Sequence, residues 1–180
     1  YDERLLESRL TEEGNVCGAL LKDLTLYDDC GLTQKDFVTT SGRLLFSIGK
    51  QIRDKKYHTF DEITFLSNAN EDVKDKITNE FGGFKSIQNV MDAVSLKNYD
   101  SFLDDLNKSN IMLSLYRKNF NLLEEMTLDN GKKVVPHQLF KKFTASEVID
   151  FYEGTLATLD TKINSSKITE QGFIDFDDAF

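Results

Sequence analysis

An all-α fold is predicted by three features of the 180-residue sequence. It holds one Pro and only 10 Gly, whereas strand-rich folds need frequent turns that draw on those residues. Apolar residues recur at helical spacing over most of the chain. Helix stops and a capping box punctuate these stretches. The expected architecture is a small helical globular head over 1–97, a long antiparallel helical hairpin over 98–163, and a C-terminal linker tail over 164–180. At 39% hydrophobic, with 14 Phe and no Trp, the chain can bury a core of aliphatic side chains and phenyl rings.

Residues 12–21 read as a short helix with Val16, Ala19 and Leu20 on its apolar face, running toward a stop at Gly31. Thr33 to Asp36 reads as a local cap ahead of Phe37. From about Thr40 to Lys55, Leu44, Leu45, Ile48 and Ile52 recur at helical spacing. Thr59 or Asp61 opens a shorter helix through Ile63 and Leu66, broken at Ser67-Asn68. Val73, Ile77 and Phe81 are spaced four apart and stop at Gly82-Gly83. Phe84, Ile87, Val90, Met91 and Val94 mark the next helix.

The longest expected element runs from 98 to 126. Phe102, Leu106, Leu113, Tyr116, Phe120 and Leu123 follow steps of four and three, with Ser109 filling the gap. That is a heptad seam of about three repeats on a helix reaching roughly 43 Å. Such a helix projects, and its apolar stripe needs a second helix. Asp129-Asn-Gly131 is a turn, and the basic segment 132–143 carries Pro136, Leu139, Phe140 and Phe143. Thr144-Ala-Ser-Glu147 is a capping box. The helix it opens has Val148, Tyr152, Leu156, Leu159 and Ile163 on one face, the natural antiparallel partner. Candidate oligomer or partner-interface residues are therefore Phe102, Leu106, Leu113, Tyr116, Phe120, Leu123, Tyr152, Leu156 and Leu159. The tail beyond 164 is polar, then acidic with Phe173, Phe176 and Phe180.

The net charge of −9 argues against direct nucleic-acid binding, which relies on clustered Lys and Arg. Charge is uneven: residues 1–30 hold three basic and eight acidic side chains, residues 97–142 eight basic and six acidic. A partner with a basic face fits the N-terminal end best. Lys132, Lys133, Lys141 and Lys142 could meet an acidic partner or a neighbouring subunit, and a solvated loop is the simpler alternative.

Cys17, Cys30, His58 and His137 lack zinc-site spacing, and both cysteines sit among apolar residues. No apolar run approaches ~18 residues, so no membrane span is expected. The charged opening YDERLLESRL is unlike a secretory signal. A reducing cytoplasm is the expected compartment, and a start on Tyr1 reads as a piece of a longer protein. Gly42 to Gln51 superficially resembles a phosphate loop, but six residues separate its glycines and Gln replaces the metal-holding Ser or Thr. Asp28-Asp29, Asp104-Asp105 and Glu124-Glu125 point about 100° apart on a helix and read as solvated faces. Neither histidine has an acid and nucleophile near it in sequence. No catalytic, metal or cofactor residue is therefore assigned.

Several segments, taken in order, resemble the N-terminal domain of DnaB-type replicative DNA helicases. Val16-Cys17-Gly18-Ala19-Leu20-Leu21-Lys22-Asp23 is similar to that family's opening small-residue helix. Leu32-Thr33 through Asp36-Phe37 resembles its Asp-Phe step, and Gly42-Arg43-Leu44-Leu45-Phe46 its Arg-x-x-Phe. Phe60-Asp61-Glu62-Ile63-Thr64 resembles its short Asp-initiated helix, and Phe81-Gly82-Gly83-Phe84 its Gly-Gly junction. Asn98-Tyr99 and Thr144 to Glu147 resemble the starts of the two hairpin arms. Cys17 stands where an aliphatic residue is usual, and 127–143 is longer and more basic than a simple hairpin turn. The divergence points to a phage-encoded member, working in a bacterial host cytoplasm.

The resemblance implies a non-catalytic domain that assembles a hexameric ring, often a trimer of dimers, and docks a primase or helicase loader in the primosome. The implied parent is an ATP-dependent helicase whose ATP, magnesium and DNA sites lie in a RecA-like motor domain beyond this chain. Self-association, as a dimer or larger, is expected. The alternative is a stand-alone helical adaptor, such as a helicase-loader or replication-inhibitor protein. A helical DNA-binding regulator is disfavoured by the charge.

Overall fold

A computed structural model describes the backbone of residues 1–165 and the side chains of residues 1–157. It is mostly helical, with one tiny two-stranded sheet. The expected linker at 164–180 and the outer positions Leu159 and Ile163 lie outside the residues or side chains described. The chain divides into two units, Asp2–Leu106 and Asn107–Phe180, with Tyr1 grouped in the second.

In the first unit α1 (Arg9–Lys22) is the central helix. Val16, Cys17, Ala19, Leu20 and Leu21 are all fully buried. It packs against α2 (Thr40–Asp54) and α5 (Phe84–Asp92). The small-residue run explains the closeness of the second contact. A Cβ on Gly18 would come within 2.7 Å of the Val90 carbonyl oxygen, so only Gly lets α5 approach this far. Lys22 then ties the end of α1 to the Val94 carbonyl at 2.7 Å. Asp23 ends the helix, and its carboxylate accepts from the Thr25 amide to start a 3-10 turn over Leu24–Asp28.

Thr33 and Asp36 form a reciprocal capping box on a 3-10 turn, Gln34–Asp36. Helix α2 begins at Thr39, whose hydroxyl accepts from the Gly42 amide, and buries Leu45, Ile48 and Ile52 as its periodicity predicts; Leu44 of the expected set is only half-buried, and Phe46, outside that set, is buried. Gly42 and Gly49 thus lie inside a helix, not in a phosphate-binding loop. Asp61 caps α3 (Glu62–Asn68) and Asn70 caps α4 (Glu71–Lys76). Helix α4 runs into a π turn over Ile77–Phe81 that stops at Gly82 and Gly83, with φ of 83° and 90°. Those left-handed values explain the Gly-Gly pair.

The short helix expected through Ile63 and Leu66 is present as α3, with both residues turned outward: Ile63 is 77% exposed and Leu66 48%. The buried residue is Phe65, which meets Phe60 and Phe84 in a three-ring cluster with centroids 5.5–6.2 Å apart. A seven-residue helix offers one buried edge, and the larger ring takes it.

The expected helix over 98–126 requires correction. Helix α6 spans Tyr99–Arg117, roughly 28 Å, and stops nine residues short. Asn119 adopts a left-handed φ of 65°, the Lys118 amide reaches back to Ser114 and Leu115, and the Phe120 amide donates to Leu115. This closure satisfies the last carbonyls and turns the chain away. Phe120 and Leu123 kept the heptad spacing without being helical.

In the second unit the segment between α6 and α8 (Ala145–Ser165) has its own structure. Strands β1 (Met126–Thr127) and β2 (Lys133–Val134) pair antiparallel, Met126 opposite Val134. The Asp129-Asn130-Gly131 turn closes them, with Gly131 at φ 83°. Short α7 (Pro136–Leu139) opens on Pro136, where a missing N–H is harmless. The His137 amide donates to the Leu122 carbonyl at 2.8 Å. Leu122, Phe140, Val148 and Tyr152 are buried. Phe140, Phe143 and Phe151 form a second aromatic cluster, with centroids 5.4–6.1 Å apart.

Candidate functional site

The nine seam residues do not share one environment. Phe102 and Leu106 belong to the first unit, Phe102 half-buried and Leu106 fully buried in its core. In the second unit Leu113 and Tyr152 are buried, Phe120, Leu123 and Leu156 half-buried, and Tyr116 37% exposed. The side chain of Leu159 is not among those described. Two members meet directly: Phe120 stands edge-on to Tyr152, with ring centroids 5.3 Å apart. Lys108 on α6 also donates to the Phe143 carbonyl at 2.8 Å. Helix α6 buries Ser109, Ile111, Ser114 and Leu115 as well, so its apolar surface is wider than a two-position stripe.

The capping box at the start of α8 is formed as the sequence predicts. The Thr144 amide donates to the Glu147 carboxylate at 3.0 Å, and the Glu147 amide donates to the Thr144 hydroxyl at 3.2 Å. The backbone hydrogen bond from Thr144 holds the Glu147 carboxyl below the usual carboxylate range. A lowered folded-state pKa adds stability above the ordinary glutamate value of about 4.3 that is lost as pH falls through the lowered value. An NMR titration should therefore find Glu147 taking up its proton below that value, with the Thr144 amide losing exchange protection as the carboxylate is protonated. Titration of Glu147 at or above 4.3 would contradict the cap.

The most polar buried feature lies at the start of α1. The Arg9 guanidinium pairs with the Glu13 carboxylate and donates to the Asp36 carbonyl at 2.7 Å. Glu13 also accepts from the Val38 amide at 2.8 Å, the Thr39 amide at 3.1 Å and the Thr39 hydroxyl at 2.5 Å. Both charged side chains are buried. Gly42 is required beside them, since a Cβ there would collide with the Glu13 carboxylate. The network anchors α1 to the segment leading into α2.

Burial pushes the Cys17 thiol well above its ordinary range, which suits a packed side chain and not a nucleophile. Cys30 is also free and buried. Among the described residues no group of three His, Cys, Asp or Glu side chains converges as a metal site, and no helix is long and apolar enough to cross a membrane.

No family model, curated protein or solved structure matches the chain.

Lys132, Lys133, Lys141 and Lys142 are exposed, and Lys133 lies 3.8 Å from Glu125. In the first unit an open groove of about 310 Å³ has Ile48, Ile52, Ala69 and Val73 among its lining residues, with Asp54 and Lys55 also bordering it. Elsewhere on the first unit Ile63 and Leu66 stand uncovered on α3. The spacing of Ile63 and Leu66 marks a helix without telling which of its edges faces inward; the larger ring of Phe65 on the same helix was the signal.

Proposed function

We propose that the chain is a non-catalytic assembly and docking domain of a DnaB-type replicative helicase, with a primase or helicase loader as its partner. One observation carries the reading. The short segments resembling that family coincide, in order, with structural punctuation: Gly18 at the α1–α5 contact, Asp61 capping α3, Gly82-Gly83 ending the π turn, and Thr144 to Glu147 opening α8. Each is a site where residue type is dictated by backbone geometry, so their shared order is harder to reach by chance than a match of apolar periodicity.

In this proposal α6 and α8 are the two arms of a hairpin, and self-association builds the collar of a hexameric ring. Lys108 on α6 bonds to Phe143 just before α8, and Phe120 just past α6 meets Tyr152 on α8, which supports the hairpin at its flanks. ATP and magnesium belong to a motor domain outside this chain. The reading frame after residue 180 tests it. A GxxxxGK[ST] loop within a few dozen residues is expected, and an immediate stop codon would contradict it.

A second reading, a stand-alone helical adaptor, is favoured by a different observation. Leu106, Leu113 and Tyr152 are buried inside the chain's own fold, leaving less of the seam in need of another copy than a projecting 29-residue rod would.

A further inference from the structure

We propose that Asn130 is the position at which this chain deamidates spontaneously, through a cyclic imide closed by the Gly131 amide nitrogen. Asn130 is the only Asn followed by Gly in the sequence. At every other Asn the next residue carries a side chain that crowds the backbone nitrogen where attack begins. Gly131 leaves that nitrogen open.

The fold adds access. Asp129, Asn130, Gly131 and Lys132 are all exposed. The turn is closed by the Gly131 amide donating to the Leu128 carbonyl at 2.9 Å and the Leu128 amide donating to the Lys132 carbonyl at 2.8 Å. The Asn130 side-chain oxygen accepts from the Lys132 amide at 2.9 Å. These bonds engage both reacting groups, so the reaction waits until the turn opens. Opening costs little here. The strands β1 and β2 are two residues each, and a lone two-stranded hairpin is marginally stable in water. Other Asn side chains are tied into helices: Asn70 caps α4 by accepting from the Val73 amide at 2.9 Å, and Asn68 donates to the Thr64 carbonyl at 2.7 Å.

Once the turn opens, the Gly131 nitrogen loses its proton and bonds to the Asn130 side-chain carbonyl carbon. The bond from that carbon to the side-chain nitrogen breaks, and ammonia leaves. Water then opens the imide at either carbonyl. One opening leaves Asp at position 130, and the other leaves isoaspartate, with the main chain running through the former side chain. Both products add a negative charge beside Lys132 and Lys133. Isoaspartate also lengthens the backbone of the turn, so the closure between Leu128 and Lys132 no longer fits. The basic segment therefore carries a slow, one-way loss of positive charge and of β1–β2 pairing, independent of the assembly reading.

Holding the purified chain warm at mildly alkaline pH, and mapping its peptides by mass at intervals, tests this. Acid should appear first at position 130, as Asp together with isoaspartate that an isoaspartyl methyltransferase labels. Gly131→Ala should slow conversion about tenfold. Ala at a φ of 83° also loosens the turn, so slower conversion separates crowding of the nitrogen from protection by the turn. Asn130→Gln keeps an amide at the tip and should remain unconverted over the same period, with unchanged circular dichroism. Another Asn converting ahead of Asn130, Asn130 staying an amide throughout, or Asp forming without isoaspartate would each overturn the proposal.

Discussion

Replacing Glu13 with Ala should remove about 3–5 kcal/mol of stability from the first unit, the usual consequence of breaking a buried ion pair. The substitution leaves the Arg9 guanidinium in the interior with its carboxylate gone. It also strips acceptors from the Val38 amide, the Thr39 amide and the Thr39 hydroxyl. Since natural domains are stable by only about 5–15 kcal/mol, that is a large share of the total. Urea denaturation should find a much lower midpoint with an unchanged slope. The paired change Arg9→Met with Glu13→Leu should recover only the share due to the uncompensated guanidinium, because the Val38 and Thr39 donors still lack the Glu13 carboxylate. A Glu13→Ala midpoint within about 1 kcal/mol of the wild type would mean the network is solvated and does not anchor α1.

Phe140→Ala should remove about 3–5 kcal/mol from the second unit. Its ring is fully buried and meets both Phe143 and Phe151, so truncation opens a cavity at the junction of the α7 segment with α8. Hydrogen exchange should locate the effect. The His137 amide, which donates to Leu122, should exchange much faster, because that bond holds the connecting segment against the same core. Unchanged protection at His137 would show that the segment between α6 and α8 is ordered independently of the aromatic cluster.

Where local chemistry dictated structure, the sequence was legible. Asp61 as a cap, the stop at Gly82-Gly83 and the Thr144 to Glu147 box each satisfy backbone groups within a few residues. Burial of Leu45, Ile48 and Ile52 on α2 follows from spacing, whereas that of Phe46 does not. What escaped depended on partners far along the chain. Phe65 takes the interior position over Ile63 only because Phe60 and Phe84 converge on it. Arg9 and Glu13, four apart on a helix, have the spacing of an ordinary surface pair; nothing local reveals that the turn leading into α2 closes over them. The early end of α6 turns on Asn119, a residue that tolerates the left-handed conformation but does not require it. Heptad spacing through Phe120 and Leu123 pointed the other way, yet the Phe120 amide closes back on Leu115 and Leu122 beyond it is buried. Of the proposed seam, Phe120 and Tyr152 are brought into contact, whereas burial of Leu113 and Leu106 answers to the fold of each unit.

The functional proposal depends on this chain recognising copies of itself. Association would be driven by burial of apolar side chains still exposed on the single chain, each worth roughly 1.5–3 kcal/mol. Light scattering of the purified chain over a concentration series measures it most directly. The mass should climb with concentration from the 20.6 kDa of one chain toward that of a dimer or larger assembly. A mass fixed at 20.6 kDa across the series would contradict an assembly domain and favour an adaptor that acts alone.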